Sequence, residues 1–130
     1  MDETLHPVDQ AAAAGAVVER FLRAIEQGDF PAARAQLSDR GFQYRGPVAE
    51  FDDADSFIDD IARVGVILKR IETRRVFVDG DEVLVIHDFH STLSEIARTR
   101  IAAWFRIDAG RITYLEVFFD ARAYAGLFVG

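Results

Sequence analysis

The sequence predicts an α+β domain, with helices in its first half and an antiparallel sheet in its second. Three observations carry this. Residues 17–25 and 54–64 repeat their apolar positions with helical spacing. From Ile71 onward the pattern changes to period two. Two glycine-bearing turns, Asp79-Gly80 and Asp108-Ala109-Gly110, divide that alternating region into hairpins.

In chain order, residues 1–8 show no periodicity and read as a flexible tail before one domain over 9–130. Asp9 is placed to cap a first helix whose inward face is Val17, Val18, Phe21, Leu22 and Ile25. Gly28 stops it, and Asp29 caps a shorter second helix with Pro31 in its first turn and Leu37 packed inward. Phe42–Arg45 reads as a short strand ended by Gly46-Pro47. A third helix over 54–64 buries Phe57, Ile58, Ile61 and Val64, with Ser56 and Asp59 spaced as a capping box. The carboxylates around its start, Glu50, Asp52, Asp53, Asp55, Asp59 and Asp60, suit the positive end of a helix, and their spacing matches no metal-binding loop.

Strands over 71–78 and 82–91 flank the first turn, and strands over 99–107 and 112–119 flank the second. The order is therefore α-α-β-α-β-β-β-β, closed by a helical turn that uses Tyr124, Leu127 and Phe128 and is capped by Asp120.

Composition narrows the function classes. Half of the 130 residues are hydrophobic, enough for a core without metal or disulfide support, and cysteine is absent. A net charge of −7 with scattered arginines disfavours nucleic acid. No run is long and apolar enough to span a membrane, and the alanine-rich segment near the start follows Asp2 and Glu3, unlike a signal peptide. A cytoplasmic protein is the expectation. The one lysine, Lys69, sits among arginines at a polar strand entry and reads as a solvated residue.

His87 is the sharpest chemical feature. It interrupts the run Val83-Leu84-Val85-Ile86 and shares its strand face with Val85 and Phe89. A histidine there either finds a structural partner or serves as an acid/base inside a pocket. Asp88 and His90 fall on the opposite face. Arg100 and Arg106 share a face with Trp104, which suggests cation–π packing on the outer surface; Glu116, with Tyr114 and Phe118, suggests an ion pair there. That apolar centre, rimmed by arginine and glutamate, predicts a homodimer through the outer sheet face.

The strings VVERFLRAIEQGD (17–29), GFQYRGPV (41–48), FRIDAGRI (105–112) and ITYLEVFFDARAY (112–124) resemble the nuclear transport factor 2-like superfamily, in particular its SnoaL-like polyketide cyclase branch. The resemblance covers nearly the whole chain and implies a cystatin-like, cone-shaped antiparallel sheet wrapped around the first helix, with an apolar pocket inside. Ketosteroid isomerases of this fold use a tyrosine, an aspartate base and a protonated aspartate; the matching positions here are Phe21, Arg45 (or Gly46) and Ala103, which cannot do that chemistry. The positions of limonene epoxide hydrolase resemble Phe89, His87 and Val117, with Gln43 and Arg45 as the water-holding pair, and Val117 is no base. A SnoaL-like acid/base set pairs His87 with Asp88, Glu116 or Asp120.

The resemblance thus implies a small, mostly apolar ligand in a cavity lined by Phe21, Gln43, Phe89, Ile101, Ala103, Val117 and Phe119, with His87 and Arg45 as catalytic candidates. Neither a metal nor an organic cofactor is required. A non-catalytic binding or interaction module of the same fold is the competing reading.

Overall fold

Alternating residues build a curved sheet, and the helices fill its concave side. The computed structural model describes residues 7–124. The helices are α1 (Pro7–Gln27), α2 (Phe30–Ala35) and α3 (Ala54–Val64). The strands are β1 (Gln43–Arg45), β2 (Glu50–Phe51), β3 (Leu68–Asp79), β4 (Glu82–Ser91), β5 (Arg98–Asp108) and β6 (Arg111–Phe118). They form one six-stranded sheet in the order β2-β1-β6-β5-β4-β3. No described helix is long and apolar enough to cross a membrane.

The meander β3 to β6 is antiparallel as expected, but the whole sheet is mixed. β1 runs parallel to β6, with Tyr44 beside Leu115, and the two-residue β2 returns against β1. The β1–β2 return is a local hairpin across residues 46–49, closed by the Gly46 N–H to the Ala49 carbonyl at 3.0 Å, whereas the parallel β1–β6 pairing joins segments far apart in the chain, which hairpin logic does not reach.

The helix ends follow from their capping chemistry. α1 starts at Pro7, ahead of the expected Asp9, which lies in its first turn. It stops at Gly28, whose φ of +73° suits a residue without a Cβ. Asp29 caps α2 by accepting from the Ala32 N–H at 3.1 Å. The cap of α3 is Asp53, accepting from the Ser56 N–H at 2.8 Å, and not the Ser56–Asp59 box. At the end of β6, Asp120 accepts from the Arg122 N–H at 3.1 Å and opens the turn Arg122–Tyr124. Leu127 and Phe128, assigned to the same turn, lie outside the described residues.

The core sits between α1, α3 and the concave face. Val17, Val18, Phe21 and Ile25 of α1 are buried as the helical spacing requires. Phe21 meets Phe105 edge-on, with ring centroids 6.0 Å apart, and Phe57 of α3 stacks on Tyr44 at 4.5 Å. Burying each such ring contributes roughly 2–3 kcal/mol.

Candidate functional site

The alternation of β4 decides the site. Val83, Val85 and His87 are buried against the helices, and His87 retains 6% of its exposure. Beside it a cavity of about 370 Å³ opens between α1, α3 and the sheet. Of the residues named from the sequence, Phe21, His87, Phe89, Ile101, Ala103, Val117 and Phe119 all line it.

Gln43 and Arg45 do not. Phe42 and Tyr44 are buried, so strand alternation turns Gln43 and Arg45 to the opposite face. Gln43 is exposed there. The Arg45 guanidinium donates to the carbonyls of Tyr44 and Phe51 at 2.9 and 3.1 Å and to Asp52 at 2.8 Å. Its donors fasten β1 to β2 and supply nothing to the cavity.

Tyr44 takes the inward place. Its hydroxyl packs over Gly46, where an added Cβ would lie 2.6 Å from the phenol oxygen. Burial, followed by the charge of nearby Asp60, pushes the phenol well above its usual range. Asp60 and Arg63 of α3 also line the cavity and form an ion pair at 3.0 Å, with the arginine largely in solvent. Tyr124 closes another part of the wall, and its hydroxyl shares a hydrogen bond with Thr99 at 2.5 Å. Sequence reasoning missed Tyr44, Asp60 and Arg63 as lining residues. Signals for two of them were present: Tyr44 shares parity with Phe42, and Asp60 follows Phe57 by three positions on the inward stripe of α3.

The polar end of the cavity is His87. Its Nδ1 is buried and has no hydrogen-bond partner among the described residues. Burial holds the imidazole down to about pKa 4, with the neighbouring Asp88 charge opposing the shift. At neutral pH the ring is uncharged. Its two nitrogens offer one donor and one acceptor, in a wall that is otherwise mostly apolar.

These elements coincide with a known family. The sequence profile of the SnoaL-like domain matches residues 18–115. The chain belongs to the SnoaL-like domain family. No curated protein sequence matches it. Among solved structures, an NTF2-like protein of unknown function from Cytophaga hutchinsonii is 22% identical, with 95% of this chain and 98% of that one covered and a TM-score of 0.72. An LEH-like epoxide hydrolase from M. tuberculosis is 24% identical over 92% of each chain, with a TM-score of 0.73. A candidate SnoaL-like polyketide cyclase from Jannaschia sp. CCS1 is 14% identical over 95% and 94%, with a TM-score of 0.76. At these identities the likeness is one of fold.

The outer face of this SnoaL-like sheet carries a different constellation. Glu72, Asp88 and His90 bring potential metal-ligand atoms within 4.8 Å of one another. Arginines already serve that cluster. Arg100 donates to both oxygens of Asp88, at 2.7 and 3.1 Å, and Arg74 lies 3.6 Å away. His90 and Glu72 pair at 3.0 Å. The set is an ion-pair ladder across β3, β4 and β5. Farther along, Arg106 lies over Trp104, and Glu116 accepts from the Tyr114 hydroxyl at 2.6 Å, with no arginine paired to it among the described residues.

Proposed function

We propose that this SnoaL-like domain binds a small, uncharged, mostly apolar molecule in its cavity and holds that molecule's polar group against His87. The observation that carries the reading is the buried Nδ1 of His87, which has no partner among the described residues. Such an atom costs free energy that a ligand hydroxyl or carbonyl recovers on binding. Charge on the ligand is disfavoured, because the environment resists ionisation of both His87 and Tyr44.

If the ligand is a carbon acid, the same geometry supports proton transfer of the cyclase or isomerase type. His87 takes the proton, and the Tyr44 phenol, which lines the same cavity, donates to the oxygen where negative charge develops. Imidazolium and enolate then neutralise one another, which raises the basicity of a ring that is a weak base in the empty cavity. The second reading is binding without turnover. The outward placement of Arg45 and Gln43 favours it, since no guanidinium from β1 reaches the cavity to hold an enolate.

Two assays separate these readings. N-phenyl-1-naphthylamine, an uncharged fluorescent probe, tests binding, and deuterium uptake into a cyclic 1,3-diketone tests proton abstraction. Probe binding with uptake that His87→Gln removes supports the enzyme. Probe binding without uptake supports the binding module. No binding of the probe or the diketone overturns both.

A further inference from the structure

β3 is a free edge of the sheet, and its two halves are protected unequally. Near its start the register shifts between Leu68 and Arg70, and the Glu26 carboxylate of α1 accepts from the Ile71 N–H at 2.7 Å. Irregularity and a covering charge are the usual ways to blunt an edge. A second register shift falls between Thr73 and Arg75; beyond it, Arg75 to Asp79 pairs with β4 without a break, and no side chain is bonded to its outer edge among the described residues. Val76, Phe77 and Val78 are 50%, 49% and 37% exposed, and together they make half of the six large hydrophobic residues that stand exposed among the described residues. They lie between Arg75 and Asp79, which form no ion pair among the described residues; the Arg75 guanidinium lies 5.4 Å from the Phe77 ring.

The hairpin phase identifies the free backbone groups. Asp79 and Glu82 flank a two-residue turn and so form a hydrogen-bonded pair, and Phe77 with Leu84 is the next such pair along the ladder. Val76 and Val78 therefore turn their N–H and C=O groups away from β4, toward the open edge.

We infer that this edge joins two copies of the chain, β3 antiparallel to β3, about a twofold axis at Phe77. The segment Arg75-Val76-Phe77-Val78-Asp79 is complementary to itself when reversed. Val76 of each copy stands opposite Val78 of the other, and about four main-chain hydrogen bonds form. Phe77 meets Phe77 at the axis, in the closer, non-hydrogen-bonded kind of pair. Arg75 of each copy meets Asp79 of the other, so both charges are paired. Registers two residues away put Phe77 opposite Arg75 or Asp79 and leave the charges unmatched. A twofold axis closes the assembly at two. The outer face around Trp104 offers less. Arg106 lies over the indole at 4.7 Å, Tyr114 packs edge-on against it, and Glu82 accepts its N–H at 2.8 Å.

Sedimentation of the full chain at about 100 µM tests the pairing, at concentrations where weak interfaces of this size form. A dimer is expected. Arg75→Asp and Asp79→Arg should each weaken it by about tenfold, through repulsion of like charges. The double variant Arg75→Asp/Asp79→Arg should restore it, because exchanging the charges preserves the match. Val76→Pro removes an edge-facing N–H without removing a donor to β4, and should give monomer with an unchanged circular dichroism spectrum. A monomer throughout, a double variant no tighter than the singles, or a dimer that only Trp104→Glu divides would each overturn the inference.

Discussion

His87 and Asp88 are neighbours on β4, both withdrawn from water, and each meets that condition in the opposite way. His87 faces the cavity and gives up its charge. Asp88 faces outward with no exposed side-chain surface, yet keeps its charge, because Arg100 lays two donors on it and thereby shuts out water. The hydrogen bonds and charge of Arg100, with help from Arg74 and Arg98, hold its carboxyl below the usual range. The outer face has thus been completed by the chain itself. On the inner face the His87 Nδ1 has no hydrogen-bond partner among the described residues.

The largest expected effect separates the two residues by pH. His87 has its folded pKa lowered to about 4, so the stability from keeping it neutral is fully present above an unfolded value of about 6.5 and lost as pH falls toward 4. The loss amounts to about 3 kcal/mol. Asp88 also has a lowered pKa, but its contribution is present above the ordinary carboxylate range and disappears only below it. Urea unfolding across pH 7 to 4 should show the His87 loss first, and His87→Phe should flatten that slope. An unchanged slope would mean that His87 does not carry the loss.

Next comes the outer pair. Arg100→Ala leaves Asp88 with the 3.6 Å contact of Arg74 and the more distant charge of Arg98, and should cost about 1.5–3 kcal/mol at pH 7, the range for hydrogen bonds to a charged group. Arg74→Ala, which removes a 3.6 Å contact, should cost well under about 1 kcal/mol. Equal effects would mean that the cover over Asp88 is shared.

Inside the cavity, Gly46→Ala places a methyl group 2.6 Å from the Tyr44 hydroxyl and 3.1 Å from Val117. Displacing that phenol should cost about 1–2 kcal/mol and weaken binding of the uncharged probe. Stability lost with probe binding intact would place Tyr44 outside the binding surface.

How legible all this was depends on how local its causes are. β4 ends at Glu82 and Ser91, and α3 at Ala54 and Val64, as the sequence patterns require, because a turn, a cap and a clear period define them. The opposite facing of His87 and Asp88 follows from the same alternation. β1 was misread because three residues hold too little period to choose a face, and the family's polar pair pointed to Gln43 and Arg45. The alternation of Phe42 with Tyr44 was the better guide. β2 is a two-residue strand too short to carry a period, and the parallel pairing of β1 with β6 depends on distant contacts that no local pattern encodes. The arginine cover over Asp88 was hidden for the same reason, since Arg74, Asp88 and Arg100 meet only once three strands are in register.

The smallest effect has the most telling sign. His87→Phe should raise stability at pH 7 by up to about 1 kcal/mol, since an apolar ring replaces a buried atom without a partner. The same change should reduce probe binding. Destabilisation would instead assign His87 to the framework of the fold.

The most direct test of a neutral, ligand-ready histidine is an NMR titration of the His87 ring in the free protein. The expected result is a midpoint near 4 and a neutral ring at pH 7, with its nitrogen shifts moving when an uncharged hydroxyl- or carbonyl-bearing ligand binds. A midpoint at or above about 6.5, the value for a solvated or carboxylate-paired imidazole, would contradict it.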